Sequence, residues 1–294
     1  MKIALEKNIN VKEKTKNFLQ TLTEIPASIN VAGEVQFMLK NPKVSVSKLA
    51  KKIQRDHGLL LKILKAANSS EEGLPKRVYT IEHALVLLGI NKIENLVSEI
   101  IHNRSKNIYD EDEWYRNIFW RHSMVTANTA KVIAEELNYG KPEHAFIAGL
   151  LHDFGLLVIK NFFGGVYNEI TTLVRYENVS FIKAEEFTLG MNHAEIGKQI
   201  LNSWQLPAEL VDAVGFHFKP SIANEGRQLA SIVHFADLTI NSLGMSDNEW
   251  DKNFEPDKNV FTILNIHKDE IDVNSHFAFR DVLRNAFAVR GAGE

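Results

Sequence analysis

The strongest constraint in this sequence is its punctuation. Apolar residues recur every three or four positions almost from end to end, and helix-breaking residues are few: 7 prolines and 16 glycines in 294 residues. Most of them stand where a helix must start or stop. A chain patterned this way buries helical stripes against one another, and no pair of runs alternates with the two-residue period of paired strands. The expectation is an all-α protein.

Caps and breakers place the helices. Val11–Leu22 is amphipathic, and Pro26 ends it by disfavouring helix at the preceding residue. Ser28 is placed to cap a helix running to about Leu39, which Asn41-Pro42 stops. Ser45 or Ser47 opens a short helix through Ile53. Asp56 caps another, His57–Ala67, with Leu60, Ile63, Leu64 and Ala67 on one face. Asn68–Pro75 is a loop by composition. Thr80 caps Ile81–Leu88, Gly89 stands just past that helix, and Asn91 caps Lys92–His102. After the polar stretch Asn103–Asp112 come helical patterns over Glu113–Leu137, Glu143–Asp153 with Pro142 at its first turn, His193–Trp204 behind Asn192, Ala208–Phe216 behind Pro207, and Arg227–Leu243. Gly244–Asn259 is acidic and irregular, and two short amphipathic stretches follow, Ile266–Asp272 and His276–Val289. The expected division is a helical lobe over 1–108, a second over 109–243 and a tail over 244–294.

Composition removes several classes of function. Lys+Arg is 34 and Asp+Glu 37, a net charge of -3, so duplex nucleic acid is not the expected partner. There is no cysteine, which rules out disulfides, thiolate zinc sites, iron–sulfur clusters and a cysteine nucleophile. Any metal has to be held by His, Asp or Glu. No uninterrupted apolar run reaches the roughly 18–20 residues of a bilayer span, and Met1–Lys16 lacks the apolar core of a secretory signal. A cytoplasmic protein without a membrane partner is expected.

A single histidine on a helix is ordinarily a surface or hydrogen-bonded core residue, so chemistry must be argued from grouping. His152-Asp153 follows the apolar run Ala145–Leu151, and a buried unpaired carboxylate there would be costly unless a cation or a cationic side chain relieved it. Four more ligand-type residues lie in helical surroundings: His122, His193, His217 and Asp237. Imidazole and carboxylate suit Zn, Fe, Mn or Ni, and helical folds build such sites from facing helices.

The order His122, His152-Asp153, Asp237 resembles the signature of the HD superfamily of metal-dependent phosphohydrolases. His193 and His217 stand where two-metal members, including the HD-GYP type, carry further histidine ligands. The first half narrows the likeness. Ile25–Ile29, Val46–Ala50, Ile53–Asp56, Leu59–Ser69 and Ile81–Gly89, continued by Leu150–Gly155 and His193–Gly197, resemble the HDOD domain, the HD-related output domain of bacterial signalling proteins. The resemblance covers roughly residues 18–240. It implies an N-terminal helical lobe packed on an HD-type lobe, and one or two transition-metal ions held by His122, His152, Asp153, His193, His217 and Asp237. It also implies a regulatory role with a signalling protein as partner, a small phosphorylated ligand being possible. The alternative it implies is a metal-dependent phosphohydrolase acting on a nucleotide or phosphodiester, with Asp153 the residue to carry catalysis.

The sequence departs from the catalytic relatives at three places. Leu156 follows Gly155 where they carry Lys, Phe218 follows His217 where they carry a second His, and Ile118 stands where three-metal members carry Glu. Other features have simpler readings. Asp247, Glu249 and Asp251 alternate as in a calcium loop, but Lys252 and Lys258 occupy the positions that need Gly and Glu. Lys48, Lys51, Lys52 and Arg55 read as a solvated helix face. Asn68 reads as a left-handed helix stop. Among Trp114, Tyr115, Phe119 and Trp120, core packing accounts best for Phe119 and Trp120.

Overall fold

The computed structural model describes residues 2–69, 77–102, 112–242, 245, 250 and 256–266. Every regular element among them is a helix: α1 Lys2–Thr21, α2 Ile29–Leu39, α3 Val46–Ile53, α4 His57–Asn68, α5 Ile81–His102, α6 Trp120–Glu136, α7 Pro142–Leu151, α8 Phe154–Phe162, α9 Val166–Glu177, α10 Phe181–Leu189, α11 His193–Ser203, α12 Ala208–Gly215, α13 Arg227–Ser242 and α14 Val260–Ile263. One π-helical stretch, Tyr115–Phe119, leads into α6, and a short 3-10 turn, Pro220–Ile222, precedes α13. The loop expected over Asn68–Pro75, most of Asn103–Asp112 and of Gly244–Asn259, the rejected calcium loop and the two C-terminal amphipathic stretches lie largely or wholly outside the described residues.

The helices cluster into two compact units. The first comprises Met1–Asn17, Arg121–Gln199 and Ala208–Glu294; the second comprises Phe18–Trp120 and Ile200–Pro207. Both draw on separated stretches of chain, so this clustering does not follow a single cut such as 108/109.

In the second unit α5 is the hub: α2, α3 and α4 all pack on it, and α2 also packs on α3. Eight residues of α4, from His57 to Ala67, are buried. Gly58 is required because a Cβ there would lie 2.0 Å from the carbonyl oxygen of Pro26. Buried Asp56 joins two helix starts: its carboxylate accepts from Leu59 N at 2.7 Å, capping α4, and from Ser28 N at 3.1 Å. Ser28 in turn accepts from Val31 N and caps α2. At Gly89 the backbone turns (φ 73, ψ 163), a conformation open essentially to glycine alone, so α5 is two helices meeting at a kink. Asn68 is not left-handed. It ends α4 with its amide bonded to Leu64 O, Val78 O and Val78 N, and so ties the returning chain to the helix. Phe119 and Tyr115 are core residues, and the Tyr115 hydroxyl lies 3.2 Å from His57 Nδ1.

In the first unit α13 packs on α7 and α12, and α8 and α10 pack on α9. The start of α13 is held by Asp212, whose Oδ2 accepts from the backbone N–H groups of Asn224, Glu225 and Gly226 while Lys198 pairs with Oδ1 at 2.9 Å. Among the described residues, Pro142–Phe162 is long and apolar enough by composition to cross a membrane; 83% of that apolar window is buried inside the fold. It is core.

Candidate metal centre

The site forms at the joint between α7 and α8. The expected helix through Asp153 stops at Leu151. His152 keeps helical angles, but Asp153 (φ -93, ψ 10) leaves them before α8 begins. In an uninterrupted helix adjacent side chains diverge by about 100°. The break lets two consecutive residues face one point, and both are fully buried. Two glycines allow the surroundings to close on it. A Cβ on Gly149 would lie 2.8 Å from Cα of Ala127 in α6, and one on Gly155 would lie 1.9 Å from the carbonyl oxygen of His193 at the start of α11. That helix start is fixed by Asn192, whose side chain caps Glu195 N while Glu195 reaches back to Asn192 N.

All six sequence-selected residues meet here. They form two buried groups, His122, His152 and Asp237, and Asp153, His193 and His217, with the candidate donor atoms of each group within 4.8 Å of one another. Asp153 connects the groups. Its Oδ2 lies 3.2 Å from Nε2 of both His122 and His152, and its Oδ1 lies 3.2 Å from Nε2 of His193 and 3.6 Å from that of His217. His122 Nε2 is also 3.1 Å from His152 Nε2 and 3.5 Å from Asp237 Oδ1. The set suggested by sequence order, His122, His152, Asp153 and Asp237, meets through Asp153 Oδ2 and His122 Nε2, and the other oxygen of Asp153 faces His193 and His217 as well.

The imidazoles are oriented from behind. His152 Nδ1 donates to Gly149 O and His217 Nδ1 to Val214 O, each at 2.8 Å. A carbonyl can only accept, so the proton sits on Nδ1 and Nε2 faces inward. His193 Nδ1 lies 2.8 Å from both oxygens of Glu185, a fully buried carboxylate on α10. His234, beside the group on α13, is a structural histidine: Nδ1 donates to His217 O and Nε2 accepts from Asp257 N.

Sequence reasoning missed Glu185 and Trp250. Glu185 precedes His193 by a turn of chain that carries no motif. Trp250 stands alone in the acidic stretch, where nothing in the pattern marks it. The indole N–H of Trp250 donates to Asp153 Oδ2 at 2.6 Å, and its ring meets His122 edge-on. Phe218, at the position of the catalytic relatives' second histidine, packs on His217 with ring centroids 4.0 Å apart. Leu156, where those relatives carry lysine, is fully buried in α8.

The donor set fits a metal. Two ligands about 2.1 Å from one ion stand roughly 3.0–3.4 Å apart at right-angled or tetrahedral positions, which is the spacing of these atoms. Asp153 Oδ1, His193 Nε2 and His217 Nε2 are buried polar atoms without a hydrogen-bond partner, and they face one another. Four imidazoles and two carboxylates with no thiolate suit Fe, Mn, Zn or Ni.

Electrostatics without the ion point the same way. Burial works against charge on Asp153, but His152 beside it and the neighbouring imidazoles of His122 and His193 hold its carboxyl well below the usual range. Burial opposes protonation of His193 too, but Glu185, with help from Asp153, raises it to about 10. Burial also lifts Glu185; across 2.8 Å the imidazole holds the proton, and the pair is a His193 N–H donating to a carboxylate. Burial and the charge of His152 push His217 well down.

One expected result follows from that proton. His193 is raised above its unfolded value of 6.5, so without metal its contribution to stability is complete below about pH 6.5 and is lost as pH climbs through about 10. A cation must displace the proton to reach Nε2, so affinity rises with pH and uptake at pH 7 releases protons. Glu185→Gln should lower the number released by about one and weaken metal binding roughly 10–100-fold. Calorimetry in buffers of different ionisation enthalpy counts the protons. Equal release by both proteins would remove Glu185 from this role.

The likeness to known proteins agrees with the geometry. The chain is 25% identical over 248 residues to an uncharacterized protein of Treponema pallidum, a match covering 82% of this chain and 48% of the relative; the chain thus spans about half the length of the curated relative it matches. It superposes on the MmoQ response regulator of Methylococcus capsulatus with a TM-score of 0.62 at 21% identity, over 83% of this chain and 98% of that one. It also superposes on a protein of Shewanella amazonensis described as a candidate phosphohydrolase, with a TM-score of 0.50 at 21% identity, over 92% and 93%. At these identities the solved structures show a common fold. The HDOD domain profile matches residues 25–220, two-thirds of the sequence and most of the helices described above, and the chain belongs to the HDOD domain family.

Proposed function

We propose that this chain is a cytoplasmic signalling module that holds one or two transition-metal ions between His122, His152, Asp153, His193, His217 and Asp237, and acts by binding a protein partner rather than by turnover. The observation that carries the reading is the pairing of a complete donor set with a closed approach. Asp153 faces donors on both sides, but Trp250 donates to its Oδ2, Phe218 packs against His217, and Leu156 is buried where a phosphate-holding lysine would be needed.

A second reading, hydrolysis of a nucleotide or phosphodiester, is supported by the position of Asp153 between the two groups, the arrangement a pair of ions uses to clamp the attacking and leaving oxygens. A bound metal would lower the pKa of water and polarise a phosphoryl oxygen. Of this chain's own groups, Asp153 is placed to take a proton, and Glu185 holds His193 in one orientation. No lysine or arginine is among the side chains described at the site, and one missing electrostatic donor typically reduces rate by about 10²–10³.

The expected result is therefore no turnover of nucleotides, cyclic dinucleotides or simple phosphodiesters by metal-loaded protein. Turnover near 1 s⁻¹ or above, roughly an ordinary enzyme rate, that disappears in Asp153→Ala would make the enzyme reading correct. Metal analysis of protein purified without a histidine tag tests the site itself.

A further inference from the structure

The groove at the α2–α3 corner takes no part in the metal centre. Between Val35 and Arg55 the sequence carries six cations, Lys40, Lys43, Lys48, Lys51, Lys52 and Arg55, and no Asp or Glu, in a chain of net charge -3. Lys52 pairs with Glu34. Among the described residues no carboxylate pairs with the other five. A cavity of about 500 Å³ lies in this corner, lined by Phe37, Met38 and Val44, by Lys40, Lys43 and Lys48, and by Asn41 and Ser45. Phe37 is 77% exposed, an unusual position for a phenylalanine in the middle of a helix with buried neighbours on its other face. Lys51 continues the charge one turn along α3 from Lys48.

We infer that this groove docks an acidic segment of a partner protein, with an apolar side chain seated against Phe37 and carboxylates answering Lys40, Lys43 and Lys48. The inference deepens the signalling reading and rests on it. Charge complementarity selects the occupant. An uncompensated cationic rim raises the on-rate and specificity for an anionic partner, and a central exposed aromatic supplies the anchor that makes such a contact selective. One ring does not build the run of stacking platforms that carries single-stranded nucleic acid. The two short helices α3 and α4 do not form a DNA-reading pair, because most of α4, including its whole first turn, is buried.

The test uses the full chain and a fluorescein-labelled twelve-residue peptide of glutamates interleaved with leucine and one phenylalanine. Anisotropy should report saturable binding that weakens with salt. Phe37→Ser should reduce affinity roughly tenfold, and Lys40→Glu with Lys43→Glu at least as much. Lys14→Glu with Lys183→Glu, the same charge change at exposed positions elsewhere, should leave it within about twofold. Circular dichroism and metal content, measured on every variant, report fold and site separately. If peptide binding fails while metal uptake is intact, the docking face is wrong and the metal reading stands. If metal is absent but the peptide binds as described, the reverse holds. The inference is overturned by no binding to wild type up to millimolar peptide, by equal losses in the control pair, or by tighter, Phe37-dependent binding of an oligothymidylate or of phosphatidylserine vesicles.

Discussion

Asp153→Ala is expected to empty both metal positions at once. Its two oxygens face His122 and His152 on one side and His193 and His217 on the other, and among the described residues it is the carboxylate that joins the two groups. Without it the first group keeps only Asp237 as an anion and the second keeps none. Binding to the folded form alone stabilises by mass action, on the order of 3–4 kcal/mol at free metal 100–1,000 times Kd. Wild type should therefore melt lower after chelation, by on the order of 10 °C, and Asp153→Ala should melt at one temperature with or without chelator. Elemental analysis should find the metal gone from the variant. His152→Ala should lose the shift as well, since His152 lies within 3.2 Å of both His122 and Asp153. A variant lacking Asp153 that still took up metal with an unchanged melting shift would mean that the ion, if any, sits elsewhere.

The second large effect is expected at a residue with no chemistry of its own. Gly155→Ala places a methyl group 1.9 Å from the carbonyl oxygen of His193 and 2.7 Å from its carbonyl carbon. These are backbone atoms at the start of a helix, so no rotamer change relieves the overlap, and either α8 or α11 must shift. Overpacking of a closed core typically costs about 1–3 kcal/mol, and a backbone collision belongs at the upper end. The shift also moves the imidazole that faces Asp153 Oδ1, so metal affinity should fall with stability. Gly33→Ala is the contrast. Gly33 lies inside α2 with nothing within 4 Å of its would-be Cβ, and the substitution should stabilise by roughly 0.5–1 kcal/mol through helix propensity alone. Denaturant unfolding of both variants reads the difference. If Gly155→Ala unfolded no more easily than Gly33→Ala, the close approach of α8 to His193 would not matter to the fold.

Short-range features were legible because they depend on neighbours in sequence. Ser28 and Asp56 announce α2 and α4 by capping chemistry, and the structure finds both side chains bonded to the N–H groups three residues on. Gly89 marks a break by its position, and Asn192 a helix start. Three helices between Phe154 and Leu189 were not anticipated. In α8 the run from Phe154 to Ile159 is buried all round and shows no 3.6-residue stripe to read. The ends of α9 and α10 turn on left-handed Asn178 and Gly190, single residues that could equally belong to a loop.

The sequence by itself determined the all-α class, the family and the six ligand-type residues, because helical period, caps and an ordered His/Asp set are written in local spacing. Only the tertiary structure decided that Asp153 stands between two groups, that Glu185 holds His193 from behind, and that Trp250 closes on Asp153 from 97 positions away. The reason is physical. A carboxylate's two oxygens, an imidazole's two nitrogens and an indole N–H acquire roles only when the chain has fixed which atom faces which. That fixing comes from close approaches such as Gly155 against His193, which involve residues far apart in sequence and leave no periodic trace in it.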